Sequence, residues 1–502
     1  MKRRKFIYQT SAGVLGLFPV LNKLDISDER KGPFLATGIK IGEVDQTSAI
    51  VWARLTKASQ RVGETAPAPQ VLYLDEAVGE WHPAAYFKQK YKQDRPDRQV
   101  RVVYPQGYDV TMMEGAVPGS EGYLRVLYRK KGAGKWMDGG WKAAGEKTDY
   151  CVQVPVSGLQ PGTEYEVRVE AKGTEKAKVT ASLTGGFATA VAVDVQQAIR
   201  FMVTTCHDYH DQDDPGKGFK IYRHMQDMHP AFMVHTGDVL YYDYWAKDLA
   251  MAHWNWQRMF SLSSAMEFYR NMPCYFMKDD HDTWMNDCYP GSPNKFMGAF
   301  TFEQGVEVFR QQVPYGPVPY RSFRWGKDVQ IWLVEGREFR SPNTMPDGPE
   351  KTIWGKEQME WFKKSFAASD ATFRILISPT PIVGPDRPQK KDNHANSGFA
   401  HEGEQIRQFL RSQKNAYIVC GDRHWQYASC EKGSGLMEFA CGPASDEHAS
   451  GWPKDLILPE HRYLNVVGGF LCVEAEAGGS GIAFTHYGVN GNVLHTEHFT
   501  AV

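Results

Sequence analysis

The sequence predicts a layered α/β domain preceded by an antiparallel β-sandwich, and two patterns support this fold class. From residue 33 to 195, short strand-like runs such as IKIGEV, AIVWARL and YCVQVPV recur between Gly, Pro and Asp residues. That pattern is typical of a β-sandwich. From residue 196 to 502, strand-like and helix-like runs alternate, from IRFMVTTC and KGFKIYRHMQDM to AYIVCGDRHW. Alternation of this kind is typical of a layered α/β domain.

The first 32 residues have the layout of an export leader. Lys2, Arg3 and Arg4 precede a short apolar stretch of small residues from about Ser11 to Leu21, as in a signal peptide. The arginine pair resembles the twin-arginine signal, an address that an export receptor reads. We therefore predict the twin-arginine export machinery as a partner and a periplasmic or extracellular location. The alternative is a basic N-terminus on a cytoplasmic protein.

The N-terminal domain carries one specific strand signal. In LQPGTEYEVRVEAKG, alternating Tyr165, Val167 and Val169 give one inward face, and Tyr165 follows a Pro-Gly turn as in a tyrosine corner. This stretch resembles a fibronectin type III strand. The aromatic and charged segment at residues 77–145 looks like an insertion, to which the sequence assigns no role.

The overall charge argues against a nucleic-acid partner. The 502 residues include 58 Lys and Arg against 59 Asp and Glu, a formal net charge of −1, without a lysine-rich tail or stripe. A protein that grips a nucleic-acid backbone needs a basic field. We therefore expect a local site to bind any anionic substrate. We also expect the protein to be a monomer.

Polar residues follow several apolar strand-like runs at the point where each run ends. Asp238 comes directly after MVHTG, and Tyr241 follows three residues later. The alternative for this pair alone is an Asp that caps a turn and a Tyr that packs on it. The run CYFMK is followed by Asp279, Asp280, His281 and Asp282. So many carboxylates around one histidine repel each other unless a cation or a hydrogen-bond network compensates.

Two further strand ends supply the same kinds of side chain. AYIVCG is followed by Asp422 and His424, and FMVTT is followed by Cys206. In open α/β sheets, ligands gather at the carboxyl ends of the strands. Carboxylate, imidazole, phenolate and thiolate donors together suit iron beside a second metal ion that prefers oxygen. The sequence therefore predicts a two-metal centre at these strand ends.

The spacing of these motifs resembles that of a known family. G-D-x-x-Y, then x-D-H-D, then G-D-x-H is similar to the calcineurin-like metallophosphoesterases and, within them, to the alkaline phosphatase D (PhoD-like) family. The leader, the sandwich, the strand cysteine and the segments WLVEGREFR and SPTPIVGPD fit the same family. The resemblance implies two packed sheets flanked by helices in the catalytic domain.

The resemblance also implies a role for each residue of the centre. Ferric iron would be held by Cys206, Asp238, Tyr241 and His424. Asp238 would bridge to a second metal ion, often calcium, that Asp280 and Asp422 also hold, with zinc or manganese as alternative metals. His281 would match the histidine of the superfamily's asparagine–histidine pair, and we assign catalytic roles to His281 and Asp280.

Two departures limit this assignment. The superfamily's first-strand D-x-H is absent, since Cys206 stands where an aspartate is usual, and no middle-strand histidine is visible in ILISPTPIVGP. Asn393 or His394 of KKDNHAN could approach from a loop as substrate-binding residues. The alternative is that this loop only gates the pocket.

Three arginines are candidates for binding the phosphate. Arg258 lies in the aromatic run HWNWQRMF, and Arg337 and Arg340 follow a strand, where a guanidinium could clamp a phosphate. The alternatives are an aromatic helix face that belongs to the core and ion pairs with nearby carboxylates.

These observations predict an exported metal-dependent hydrolase of small phosphate esters, acting on monoesters, diesters or both through a metal-activated hydroxide. The nearest variant is a phospholipase D-like phosphodiesterase with a phospholipid substrate. An inactive surface binding protein and an iron oxidoreductase are the alternatives from other classes.

Overall fold

The computed structural model describes residues 32–93 and 96–502. The predicted leader up to residue 31 therefore lies outside the described residues. Within the described part of the chain, no helix is long and apolar enough to cross a membrane.

A nine-stranded sheet carries most of the predicted metal ligands. Its spatial order is β23 (Val493–Thr500), β22 (Gly481–Gly488), β21 (Gly469–Ala475), β11 (Ile199–Thr204), β12 (Phe232–His235), β13 (Pro273–Phe276), β1 (Ile39–Gly42), β2 (Ser48–Arg54) and β8 (Cys151–Ser157). Strands β11, β12 and β13 pair in parallel, so their carboxyl ends meet at one edge. Strand β1 pairs in parallel with β13. One sheet therefore spans the predicted boundary near residue 195, and the domain limits themselves stay a prediction.

A seven-stranded sheet packs against the first. Its order is β14 (Arg321–Trp325), β15 (Val329–Leu333), β16 (Phe373–Ser378), β17 (Ala416–Cys420), β19 (Met437–Cys441), β18 (Gln426–Cys430) and β20 (His461–Asn465). Phe201 and Val234 of the first sheet share one buried cluster with Ile331 and Ile377 of the second. The predicted layered architecture with two packed sheets is therefore confirmed.

Helices cover the outer faces of both sheets. They are α1 (Ala84–Tyr91), α2 (Ile221–Asp227), α3 (Tyr242–Trp245), α4 (Leu249–Phe260), α5 (Ser263–Tyr269), α6 (Phe302–Gln312), α7 (Gly355–Ala367) and α8 (Ala400–Arg411). Trp256 of α4 and Phe309 of α6 lie in a buried cluster with Phe276 of β13. Phe362 of α7 and Ile406 of α8 lie in another with residues of the second sheet.

The N-terminal strands form two smaller sheets. A four-stranded sheet has the order β10 (Ala181–Ala188), β9 (Glu164–Lys172), β6 (Gly122–Lys130) and β7 (Met137–Ala144), and a three-stranded sheet has the order β4 (Glu80–Pro83), β3 (Gln70–Asp75) and β5 (Val100–Val103). Val126 and Val167 share a buried cluster with Val51 and Val154, so the four-stranded sheet packs as a sandwich on β2 and β8. The closer likeness to fibronectin type III stays a prediction.

The structure shows what the predicted tyrosine corner and the predicted insertion do in this region. The hydroxyl of Tyr165 accepts a hydrogen bond from the Gln160 backbone N–H at 2.8 Å, which is the bond of a tyrosine corner. From the predicted insertion, Met113 and Ala116 pack in one buried cluster with Met251 and Trp254 of α4. Part of the insertion therefore supports the helix that carries the predicted phosphate-binding residue Arg258.

Candidate metal centre

Three predicted ligands lie just beyond strand ends in the same unusual backbone conformation. Cys206 follows β11, Asp238 follows β12 and Asp422 follows β17, and their φ angles are 51°, 57° and 61°. Residues with a Cβ rarely adopt this left-handed conformation, which costs about 1–3 kcal/mol and persists only where the surroundings impose it. All three turns therefore aim a donor side chain at the expense of backbone strain.

Glycine makes the approach of two of these turns possible. Gly237 precedes Asp238 with φ at +113°, and a Cβ there would lie 2.7 Å from the backbone nitrogen of Asp279. A Cβ on Gly421, before Asp422, would lie 2.5 Å from Oγ1 of Thr236. Contacts of that length do not occur for a real Cβ. Steric exclusion therefore explains why glycine precedes aspartate in both motifs.

The four residues predicted to hold iron come together. One donor atom from each of Cys206, Asp238 and His424 lies within 4.8 Å of the others, and Sγ of Cys206 is 3.4 Å from Oδ2 of Asp238. The Tyr241 hydroxyl lies 3.2 Å from Nε2 of His424. Thiol, carboxylate, phenol and imidazole groups thus face one point.

Asp238 also belongs to two further groups of donors. Its carboxylate lies within 4.8 Å of donor atoms of Asp280 and His281, and in another group within 4.8 Å of Asp279 and Asp422. The predicted ligands of the second metal, Asp280 and Asp422, therefore each lie close to Asp238 but fall in different groups. Asp238 is the residue that these groups share, as its predicted bridging role requires.

The carboxylates of this centre repel one another in the absence of a bound cation. Burial raises the pKa of Asp238 well above its usual range, and the repulsion of Asp280 and Asp279 adds to the shift. Burial likewise raises the pKa of Asp282 to about 8. Burial acts in the same direction on Asp280, but the charges of Arg337, His281 and Lys390 and the hydrogen bond from the Asp287 N–H together outweigh it and hold the Asp280 pKa below its usual range. A bound cation would relieve this repulsion.

Buried oxygen atoms in the centre have unused acceptor capacity. Oδ1 of Asp280 and Oδ2 of Asp279 are buried and accept no hydrogen bond, whereas Oδ2 of Asp280 accepts one from the Asp287 N–H at 2.6 Å. A buried acceptor without a donor is costly. The chemistry of the donors and these open oxygens both fit metal ions.

His281 is held by a partner that the sequence analysis missed. Its Nδ1 lies 2.6 Å from Oδ1 of Asp243, the second residue of α3. The His281 backbone N–H also donates to Oδ1 of Asp238 at 3.3 Å. Asp243 lies two residues after Tyr241, and that spacing was the signal available in the sequence.

His448 is a second residue that the sequence analysis missed. Its Nε2 lies 2.7 Å from the Tyr241 hydroxyl and its Nδ1 lies 2.8 Å from Oδ2 of Asp211. Donor atoms of Asp208, Asp211 and His448 lie within 4.8 Å of one another. His448 follows two acidic residues, in DEH, but no strand-like run ends next to it.

The predicted phosphate-binding arginines are buried and have partners. Arg337 is fully buried, and its Nη2 lies 2.5 Å from Oδ1 of Asp279. Arg340 is also buried, and its Nη2 donates to Oδ1 of Asn343 at 2.9 Å. The structure thus favours the ion-pair alternative for Arg337, while phosphate binding by either residue stays a prediction.

Arg258 also lies in the interior. Its guanidinium carbon lies 4.1 Å from the ring centroid of Trp254, and its Nη2 donates to Oδ1 of Asn255 at 2.9 Å. This is the core packing that the sequence offered as an alternative, and a role in substrate binding stays a prediction.

The KKDNHAN loop places its two predicted substrate-binding residues away from the donor groups. Nε2 of His394 lies 2.9 Å from Oε2 of Glu402 in α8. Asn393 donates from Nδ2 to Oδ2 of Asp386 at 2.7 Å. Both residues are fully buried, so the structure shows them joining loops together, and their role toward a substrate stays a prediction.

Comparisons with known proteins match the chain over its C-terminal part and over its whole fold. The family described as PhoD-like phosphatase matches residues 201–458, slightly more than half of the chain. Alkaline phosphatase D of Bacillus subtilis (strain 168) is 24% identical over 143 aligned positions, which cover 23% of this chain and 23% of that relative. The match thus spans less than a quarter of the curated relative's length.

Two solved structures have a similar fold. The structure of PhoD matches with a TM-score of 0.67 and 15% identity, over 94% of this chain and 91% of that one. The purple acid phosphatase PPD1 from yellow lupin (Lupinus luteus) seeds matches with a TM-score of 0.57 and 12% identity, over 90% and 79%. At such identities the likeness shows the fold.

Replacing Asp238 by Asn tests the metal centre directly. Asn lacks the negative charge that three donor groups share, so we expect the purified variant to lose most of its bound metal, measured by elemental analysis. Asp243→Asn is the matched control because Asp243 contacts His281 and belongs to none of these donor groups. Unchanged metal content in Asp238→Asn would contradict the two-metal assignment.

Proposed function

This chain belongs to the PhoD-like phosphatase family of phosphoric ester hydrolases, and we propose that it hydrolyses phosphate esters with a water molecule activated by metal ions. The convergence of Cys206, Asp238, Tyr241 and His424 on one point, with Asp280 and Asp422 beside Asp238, carries the proposal. No protein nucleophile is then required.

The chain's residues divide between holding metal ions and moving protons. Cys206, Asp238, Tyr241 and His424 would hold one ion, and Asp238, Asp280 and Asp422 would hold the other. When bound, two such ions supply hydroxide at neutral pH and neutralise the phosphoryl oxygens. Asp243 fixes the His281 ring through Nδ1, so Nε2 is the nitrogen that would donate a proton to the leaving ester oxygen.

We assign iron to the first position and calcium to the second on the chemistry of the donors. A thiolate and a phenolate together favour iron, whereas a carboxylate set suits a hard divalent ion. Zinc or manganese are the alternatives. Burial raises the pKa of both the Cys206 thiol and the Tyr241 hydroxyl well above their usual ranges, so a bound cation would be needed to stabilise both anions.

We propose export through the twin-arginine route from the first residues of the sequence. Arg3 and Arg4 precede the short apolar stretch there. Since a metal centre with buried ligands forms only in a folded chain, a route that carries folded proteins suits it.

The proposed reaction is tested by assaying the purified, metal-containing protein on matched chromogenic phosphate monoesters and diesters. We expect hydrolysis, and a loss of about tenfold to a hundredfold in kcat in Asp243→Asn, because that residue orients His281. Metal content should stay unchanged in this variant. A protein that holds its metals and hydrolyses neither class would contradict the proposal, and oxygen uptake would favour the oxidoreductase alternative.

Cys206→Ser tests the iron assignment. A thiolate on ferric iron beside a phenolate should give a visible charge-transfer absorption, and serine replaces that soft anionic donor by a neutral hydroxyl. We therefore expect colour, iron content and kcat to fall together. Cys420→Ser is the control, since Cys420 is buried with its Sγ 3.2 Å from the Tyr427 hydroxyl. Retention of colour and turnover in Cys206→Ser, with their loss in Cys420→Ser, would show that the wrong thiol was assigned.

The export proposal has its own test. Changing Arg3 and Arg4 together to Lys keeps the charge but removes the side chains that the receptor reads. We expect folded, active enzyme to accumulate in the cytoplasm, measured by cell fractionation and activity. Undiminished export of that variant would mean that the leader belongs to another pathway.

A further inference from the structure

Arg387 lies on the loop after β16, and no carboxylate in the described part of the chain accepts a hydrogen bond from its guanidinium. Its side chain is 25% exposed, and the nearest carboxylate oxygen, Oδ1 of Asp386, lies 3.6 Å from Nε. That Nε atom is buried and makes no hydrogen bond. A guanidinium that is partly buried with unused donors is suited to binding an anion.

Asp386 accepts no hydrogen bond from the Arg387 guanidinium, because both of its oxygens already have other donors. Oδ1 accepts from Nη1 of Arg423 at 2.6 Å and from the Arg387 backbone N–H at 2.7 Å. Oδ2 accepts from Nδ2 of Asn393 at 2.7 Å. The closest carboxylate therefore serves mainly Arg423, which is fully buried.

The Arg387 guanidinium packs against the residue that follows the predicted metal ligand His424. Its central carbon is 5.4 Å from the ring centroid of Trp425, the next residue after His424. A Cβ on Gly451 would lie 3.2 Å from its Nη1, and the adjacent Ser450 N–H donates to the His424 carbonyl at 3.0 Å. Trp425 and the turn at Gly451 thus hold the guanidinium against the segment that carries His424.

Other basic residues around the centre are less able to meet a solute. Arg258, Arg337 and Arg340 are at most 4% exposed. Lys390 is partly exposed, but its Nζ lies 3.1 Å from Oδ1 of Asp287 and 3.2 Å from Oδ2 of Asp392. Of these five cations, only Arg387 is accessible to solvent and donates no side-chain hydrogen bond to a carboxylate.

We propose that Arg387 binds a second anionic group, carried by the leaving part of the substrate. In the proposed function, on which this inference rests, the metal ions neutralise the phosphate that is cleaved. The charges of Asp287, Asp386 and Asp392 act on Arg387, and these carboxylates would repel a second anion bound near it. Arg387 is the cation that would offset their repulsion. The preferred substrates are therefore phosphate esters whose leaving group carries its own carboxylate or phosphate.

The test compares phenyl phosphate with 3-carboxyphenyl phosphate, which differ by one remote negative charge. We expect the metal-containing wild type to favour the carboxylated ester in kcat/KM. In Arg387→Met, which keeps an apolar side chain against Trp425, the ratio of the two kcat/KM values should fall about tenfold to a hundredfold, the worth of one charge-assisted hydrogen bond. Arg374→Met is the matched control, because Arg374 also stacks on an aromatic ring, 5.5 Å from the centroid of Phe366, but lies near the start of β16.

A second measurement uses the wild type alone and so does not depend on the variant folding. Raising the ionic strength should lower the preference for the carboxylated ester, because salt screens a partly exposed charge pair. A wild type without such a preference, or an unchanged ratio in Arg387→Met, would overturn the proposal for Arg387. A metal-containing wild type that hydrolyses neither of these monoesters nor a chromogenic diester would instead refute the proposed function.

Discussion

Asp238 is fully buried, adopts a left-handed backbone conformation and contributes to three groups of donor atoms. An ionised carboxylate in that position is stable only beside positive charge. The positive charge of Arg337 acts on Asp238 without offsetting the effect of burial on its pKa, and the Arg337 guanidinium itself lies against Asp279 at 2.5 Å. A cation bound at Asp238 would also account for the thiol, phenol and imidazole groups that face this residue, from its own turn and from the turns after β11 and β17. A cation at this point satisfies all of them at once.

The two packed sheets must hold a fixed position relative to each other for these ligands to meet. The first sheet supplies the turns after β11, β12 and β13, whereas Asp422 and His424 follow β17 of the second sheet. Buried ion pairs join the two near the centre: Lys278, after β13, lies 2.5 Å from Oε2 of Glu335, after β15. Such a pair adds little net stability, but breaking it is costly, so it disfavours other alignments of the sheets. We interpret Lys278–Glu335 and Arg337–Asp279 as contacts that fix the distance between the two sets of ligands.

The sequence predicted those ligands that sit directly after apolar strands, since a strand end is visible as the limit of an apolar run. Cys206, Asp238 and Asp422 are of this kind, and the structure places them together. Asp243 and His448 were missed because they lie in a short helix and an irregular loop, where no local pattern reports which residue reaches the centre. The pairing of β1 with β13 was invisible for a related reason. A contact between residues more than 200 positions apart leaves no periodic signal in a single sequence.

The turn after β16 shows how a departure from a family pattern can have a structural cause. The resemblance led us to look for a histidine there, but the N–H groups of Ile382, Val383 and Gly384 all donate to the buried carboxylate of Glu438, at 2.6, 2.9 and 2.7 Å. These three hydrogen bonds fix the turn to Glu438 of β19, in the second sheet. An additional imidazole instead reaches the centre from another loop, since Nε2 of His448 contacts the Tyr241 hydroxyl. Unlike a residue on a strand end, His448 is positioned by its own contact with Oδ2 of Asp211, at 2.8 Å, so its place at the centre depends on loop contacts rather than on a strand.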